Sequence, residues 1–270
     1  MNLLKCLLTN NACYKTGETI VPKGVMVHST GANNTTVKRY VQPAADDPNS
    51  VEVLKQIGVN RNANDWNNTT RQVCVHAFIG KLADGSVGCV QTLPWYYRGW
   101  HAGRGNNGTA NDTHVSFEIC EDGLTDPAYF AAVYKEAVEL TAMLCKEFNL
   151  DPMADGVVIC HSEGYKRGIA NNHGDVMHWF PKHGKSMDTF RADVAALLAE
   201  PTQDAEWEKF NQFMNRWLTE LAEAKPSAWS ADARAYCESK GIIKGDSNGQ
   251  QRYKSFCTRE ELAQMFYNMK

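Results

Sequence analysis

The chain has 270 residues, of which 43% are hydrophobic, 10% aromatic and 22% charged, with a formal net charge of −3. That size suits one large core, or one domain with an appendage. No apolar run is long enough to span a bilayer, and the interspersed acids and bases give no basic face of the kind that captures nucleic acid.

Lys5 and polar residues interrupt the apolar opening MNLLKCLLTNNACYK, so no signal-peptide core forms and passage by the usual secretory route is not expected. Strand candidates then follow in order: Val25–Ser29, Val73–Ile79, Val87–Leu93, Val115–Cys120 and Gly156–Cys160, each short, apolar and β-branched. Asp84-Gly85 between the second and third is a hairpin signal, because it supplies the positive φ of a tight turn. A long helix is predicted from Asp126 (N-cap) and Pro127 to about Phe148, with Phe130, Val133, Ala137, Leu140, Leu144 and Cys145 on one face. Another begins near Ser186 and carries Phe190, Val194 and Leu197. Strands broken by helices of this length predict an α/β layer fold. None of the nine cysteines forms a CxxC pair, and Cys74, Cys89, Cys120 and Cys160 lie inside the strand-like runs. This is the pattern of reduced core thiols in a protein made in a cytoplasm.

The pattern changes around Glu200-Pro201. Trp207, Phe210, Met214, Trp217 and Leu221 form a heptad-like stripe ending at Lys225-Pro226, suited equally to docking on the preceding domain or to self-association and too short for an independent coiled coil. A small unit follows from Ser227. The expected organisation is a domain over residues 1–200, an amphipathic linker helix over 201–226 and a small helical unit over 227–270.

Eight histidines carry the chemistry: His28, His76, His101, His114, His161, His173, His178 and His183. His28 and His161 lie at predicted strand ends, where active-site groups of α/β sheets gather. The segment from Cys160 to Lys185 holds four histidines with Asp175 and Glu163, a density suited to a catalytic metal, which needs three protein ligands and one open position. Two literal motifs fail on context. Gly103–Gly108 spells GxGxxG but precedes a strand, where a dinucleotide site needs a helix. Gly245–Gly249 spells GxSxG, yet no histidine follows His183.

VMVHST, VHAFIG with ADGSV, GWHAG, VSFEIC and ICHSEG, in this order over roughly residues 21–198, resemble the zinc-dependent N-acetylmuramoyl-L-alanine amidases of the type-2 amidase and peptidoglycan-recognition superfamily. The resemblance implies a mixed central β-sheet flanked by helices and a Zn²⁺ ion in a peptidoglycan-binding groove. It also implies cleavage of the amide between N-acetylmuramic acid and L-alanine by zinc-activated water. His28 and His161 match the first two zinc ligands. The third normally precedes a proline; here Asp175 stands at the family spacing with Val176 in the proline's place, and His173 and His178 are the competing assignments. Glu118 matches the catalytic glutamate, a strand carboxylate expected on the face opposite Val115, Phe117 and Ile119. His173 occupies the place of the usual lysine, as the oxyanion-stabilising group or as a partner orienting Asp175. Trp100, His101 and Arg104 are expected to line the substrate groove, His76 to bond behind the site, and His183 to lie on the surface.

Trp229, Gly241–Asp246 and the Thr258–Glu261 capping box make the tail similar to a single S-layer-homology unit, for cell-wall binding or oligomerisation. Its seven basic and five acidic residues are too balanced for bulk capture of an anionic wall. The whole resembles a phage or prophage endolysin that accumulates in the host bacterial cytoplasm and then reaches the cell wall, with peptidoglycan as partner, no membrane insertion, and a homodimer through the 207–221 helix or the tail as an option. The rival readings are a peptidoglycan-recognition protein that does not cut, and a muramidase with paired carboxylates.

Overall fold

A computed structural model describes residues 1–67, 72–199, 203–246 and 249–269, with the side chains of 203–205 excepted. The predicted boundary at Glu200–Pro201 and the Ser247-Asn248 pair of the GxSxG string lie outside the described residues. The chain divides into two compact units, Met1–Glu200 and Pro201–Lys270.

The first unit is built on a six-stranded sheet. In chain order its elements are β1 (Leu3–Lys5), α1 (Ala12–Thr16), β2 (Gly24–Asn33), α2 (Ser50–Ile57), β3 (Ala77–Lys81), β4 (Val87–Gln91), β5 (His114–Glu121), α3 (Pro127–Glu147), β6 (Val158–Cys160), α4 (His161–Lys166) and α5 (Met187–Leu198). The strand order is β1-β4-β3-β5-β2-β6. Every pairing is parallel except the β3–β4 hairpin, closed by Asp84-Gly85 with Gly85 at φ 86°. The sheet is therefore mixed and carries helices, as the sequence predicts.

Alternation along the strands sorts the side chains. Val25, Val27, Val115, Phe117 and Ile119 join the apolar cluster with Phe130, Val133, Ala137, Leu140 and Leu144 of α3 and Phe190 and Val194 of α5. Asp126 caps α3 by accepting from the Ala128 and Tyr129 amides, with Pro127 in the first turn. Each fully buried side chain of this kind contributes about 1.5–3 kcal/mol over an exposed one, so the α3 face fixes the central strands. His183, expected on the surface, is half-buried: it ends a short 3-10 turn over Phe180–His183, and its ring stacks on Phe130 at 4.1 Å between centroids. On the other face Phe78, Val90, Tyr40, Val37 and Cys120 form a second cluster. Met26, Ile159, Ala102 and Ala170 form a third.

Strand β3 covers only the end of the predicted Val73–Ile79 and runs on to Lys81. Cys74 leaves the sheet to form an isolated bridge with Trp100, and His76 sits between, with its main-chain N–H donated to Ser116 O. Gly105 and Gly108, in the GxGxxG string, likewise close a small bridge, within a loop rather than at a helix start.

The second unit contains α6 (Gln203–Glu223), α7 (Ala231–Ser239) and α8 (Arg259–Asn268). Trp207, Phe210 and Trp217 of α6 are exposed, and the Trp217 ring lies 5.7 Å from that of Phe256. Thr258 and Glu261 form the predicted reciprocal cap: Thr258 Oγ1 accepts from the Glu261 amide and the Glu261 carboxylate accepts from the Thr258 amide. No helix among the described residues is long and apolar enough to cross a membrane.

Candidate active site

The residues left over from the α3 face of the sheet point into a groove. His28 on β2 is paired in register with Glu118 on β5, and Val27 with Cys160, the last residue of β6, so His161 follows level with His28. Three adjacent parallel strands thus deliver His28, Glu118 and His161 together. The groove has a volume of about 790 Å³ and is lined among others by Trp66, Trp100, His101, Asn171, His173 and Asp175. Arg104, expected in this wall, is exposed on the following loop and does not line the groove.

His161 is the first residue of α4, and its placement depends on the cap of that short helix. The Glu163 carboxylate accepts from the Cys160 amide at 3.1 Å. Arg191 of α5 grips the same carboxylate through both terminal nitrogens, at 3.1 Å each, and donates to Val158 O at 2.9 Å. The bidentate pair leaves the turn little freedom to shift. Asp175 comes from a loop whose next residue, Val176, is buried at φ 57° and donates its amide to Ser29 Oγ at 3.2 Å. A β-branched residue in the left-handed region is strained, and here the strain presents the Asp175 carboxylate to the histidines.

At the centre His28 Nδ1 lies 2.9 Å from Asp175 Oδ2, His161 Nδ1 lies 3.1 Å from the same oxygen, and the two Nδ1 atoms are 3.1 Å apart. The outer ring nitrogens are engaged elsewhere. His101 Nε2 donates to His114 O (3.3 Å), which leaves His101 Nδ1 to accept from His28 Nε2 (3.0 Å). His161 Nε2 donates to Asn171 Oδ1 (2.8 Å), and Asn171 Nδ2 donates to His173 Nε2 (3.3 Å). In this arrangement both Nδ1 atoms of the ligand pair are lone-pair donors that converge on a carboxylate oxygen. Three such atoms repel one another unless a cation lies between them. Their spacing is close to the edge of about 3.3 Å expected for a tetrahedron with metal–nitrogen bonds of about 2.0–2.1 Å. These three are the one group among the described residues with the geometry to hold a metal ion.

The electrostatics agree with that use. Burial lowers the His28 pKa more than Asp175 raises it, favouring the neutral ring that a metal requires. For Asp175 burial opposes ionisation, but in the metal-free chain a ring N–H turned toward it from His161 or His28 outweighs the burial and holds the carboxyl well below the usual range, the place a bound cation would take instead. Glu118 behaves oppositely. Burial first, then the charges of Asp175 and Glu121, push its pKa well above the ordinary value, and its Oε2 is buried with no hydrogen-bond partner among the described residues. An unsatisfied buried carboxylate oxygen facing a groove is poised to take a proton.

The competing third ligands are accounted for. His178 turns away to pair with the buried Glu121 at 2.9 Å. His173 is exposed at the groove rim with its ring 4.7 Å from that of His161. His76 sits behind the site, donating Nε2–H to Tyr97 O and accepting from the Ser116 amide at Nδ1. Asn171 and Arg191 were not singled out from the sequence, and Glu163 entered only as one of the residues clustered after Cys160; the Asn171-Asn172 pair just before His173 was the one local hint for Asn171.

A family model described as N-acetylmuramoyl-L-alanine amidase matches residues 18–178, well over half of the chain. Among solved structures, the hydrolase AmiA of Staphylococcus aureus, in complex with its ligand, is 19% identical with a TM-score of 0.49, covering 72% of this chain and 82% of that one. A mutant endolysin from Bacillus subtilis is 22% identical with a TM-score of 0.46, covering 72% and 99%. The catalytic domain of XlyA is 22% identical with a TM-score of 0.45, covering 72% and 99%. No curated protein matches the chain.

Proposed function

The chain belongs to the N-acetylmuramoyl-L-alanine amidase family, and we propose that it is a zinc-dependent peptidoglycan hydrolase that cuts the amide between the lactyl group of N-acetylmuramic acid and L-alanine. The observation that carries this reading is the meeting of His28 Nδ1, His161 Nδ1 and Asp175 Oδ2 at about 3 Å in a groove also lined by Glu118, whose buried Oε2 has no partner among the described residues.

His28, His161 and Asp175 would hold the ion, two imidazoles and one carboxylate, a hydrolytic ligand set. When bound, zinc supplies Lewis acidity that makes water nucleophilic at neutral pH. The remaining work falls to the chain. Glu118 takes a proton from the attacking water and returns it to the departing L-alanine amine. His173, at the rim, donates to the oxygen on which charge develops. His101 orients His28 through the Nε2–Nδ1 hydrogen bond, the support that metal-bound imidazoles commonly receive, and Asn171 does the same for His161. Trp100, with Arg98 5.3 Å over its ring, offers an aromatic wall for sugar or stem peptide.

The second unit is read as a linker helix and an S-layer-homology-like tail that binds the wall or pairs two copies, in a phage- or prophage-endolysin-like protein acting at the bacterial cell wall. The test is product analysis on purified walls. The full chain should generate new alanine amino termini and no new reducing sugar ends, and residues 1–200 alone should give the same bond specificity with weaker wall retention. Reducing ends without amino termini would mean a muramidase, and neither product would mean a recognition protein.

A further inference from the structure

Next to the groove lies a second depression, of about 630 Å³, lined by Asn34, Thr36, Lys38, Arg39, Val59, Asn60, Arg61 and Asn62. Three of these carry positive charge and none carries negative charge, in a chain whose overall balance is negative. Arg39 belongs to both cavities and so forms the wall between them.

The depression is held in shape from below. Gln42, buried, accepts from the Asn60 amide at 3.0 Å and donates to Gly58 O at 3.0 Å. The Asn60 side chain donates to Arg39 O (3.3 Å) and Asn64 Oδ1 (3.0 Å) and accepts from the Asn62 amide (3.0 Å). This network fixes the 58–64 loop against the Lys38–Arg39 turn, so Arg61 is held on the wall of the same depression as Lys38 and Arg39 by half-buried and surface polar bonds. Arg39 uses one donor on Asn64 O and lies 5.2 Å over the Tyr40 ring, and no other hydrogen bond engages its fork among the described residues. Among the described residues none of Lys38, Arg39 and Arg61 has a carboxylate within ion-pair distance; on the groove side the buried Asp65 lies along the same wall. Clustered like charges cost free energy that a bound anion recovers.

We infer that Lys38, Arg39 and Arg61 form an anion subsite contiguous with the catalytic groove, which takes a carboxylate or phosphate oxygen of the wall polymer lying beyond the scissile amide. The inference rests on the amidase reading, since that reading places an acidic polymer in the groove. Anionic oxygen in the wall has two sources, the carboxylates of the stem peptide and a phosphodiester-linked wall polymer.

The experiment compares the full chain with K38Q/R61Q on four materials: a soluble muramoyl peptide with free or amidated carboxylates, and sacculi carrying or stripped of phosphodiester polymer. Thermal melting checks that the variant is folded, and K38E/R61E serves as a stronger perturbation. The expected result is an increase in KM of about tenfold with kcat unchanged, larger for charge reversal and smaller at high salt. A loss on the free-carboxylate peptide alone assigns the peptide; a loss on decorated sacculi alone assigns the phosphodiester polymer. Variant and wild type agreeing within twofold on all four materials would overturn the subsite. Should the wild type release no alanine amino termini anywhere, the amidase reading falls, and co-sedimentation of the same proteins with the two kinds of sacculi still decides the subsite by the same comparison.

Discussion

Two carboxylates that line the same groove have had their proton affinities driven apart by their surroundings. Asp175 is kept ionised by its two imidazole neighbours, while Glu118, buried and facing other negative charge, resists ionisation. The consequence for stability has a definite sign. A raised carboxyl pKa means the folded, metal-free chain holds a proton that the unfolded chain has released, so stability falls as pH rises from the ordinary value of 4.5 through the folded value. Metal-free Glu118→Gln should therefore melt at a higher temperature than metal-free wild type at pH 7.5, with the difference vanishing below pH 4.5. His76 works in the opposite sense, since burial lowers its pKa to about 4 and its contribution is lost as pH falls from 6.5 toward that value. Comparing the two proteins at one pH cancels that background. The same variant should retain zinc while wall hydrolysis drops by about 10²–10⁴-fold; unchanged hydrolysis would remove Glu118 from the reaction. His28, His161 and Glu118 could be singled out in the sequence because each stands in a short motif, and Asp175 by its spacing to Phe180 although Val176 replaces the motif's proline. The roles of Asn171, Glu163 and Arg191 could not, because they exist only once α4, α5 and the 171–175 loop meet.

At the scale of elements, the turn after Asp175 explains where the chain departs from the pattern its motifs resemble. Where proline is usual, Val176 adopts φ 57° and gives its amide to Ser29 Oγ. Proline can do neither, being fixed near −65° and lacking the N–H. Val176→Pro should accordingly weaken zinc binding by at least about tenfold, while Val176→Ala, which keeps the amide, should stay close to wild type in metal affinity. Titration of both variants with zinc decides the matter, and a Val176→Pro protein that binds like wild type would show that the turn is not needed in this form. The long helix α3 and strands β2, β4 and β5 were readable from periodicity and capping, since their apolar faces are complete within the segment. β1, α1 and α2 were missed, being three to eight residues long with little room for a period to declare itself. The Val73–Ile79 run misled because apolar residues there serve two structures, the Cys74–Trp100 bridge and β3.

For the whole molecule, the first unit brings its chemistry to one groove beside three parallel strands, and the second carries an exposed aromatic helix and a capped helical tail. The pattern change near residue 200 was visible in the sequence, but the tail's ligand was not, because balanced charge and a solitary motif leave its chemistry open. What everything else depends on is a metal ion among His28, His161 and Asp175. Native mass spectrometry with elemental analysis of the purified full chain tests this most directly. The account predicts one zinc per chain in the wild type, lost in Asp175→Ala and His161→Ala and kept in His178→Ala. A wild-type chain that binds no zinc when supplied with it, or an Asp175→Ala chain that binds it as tightly, would contradict the account.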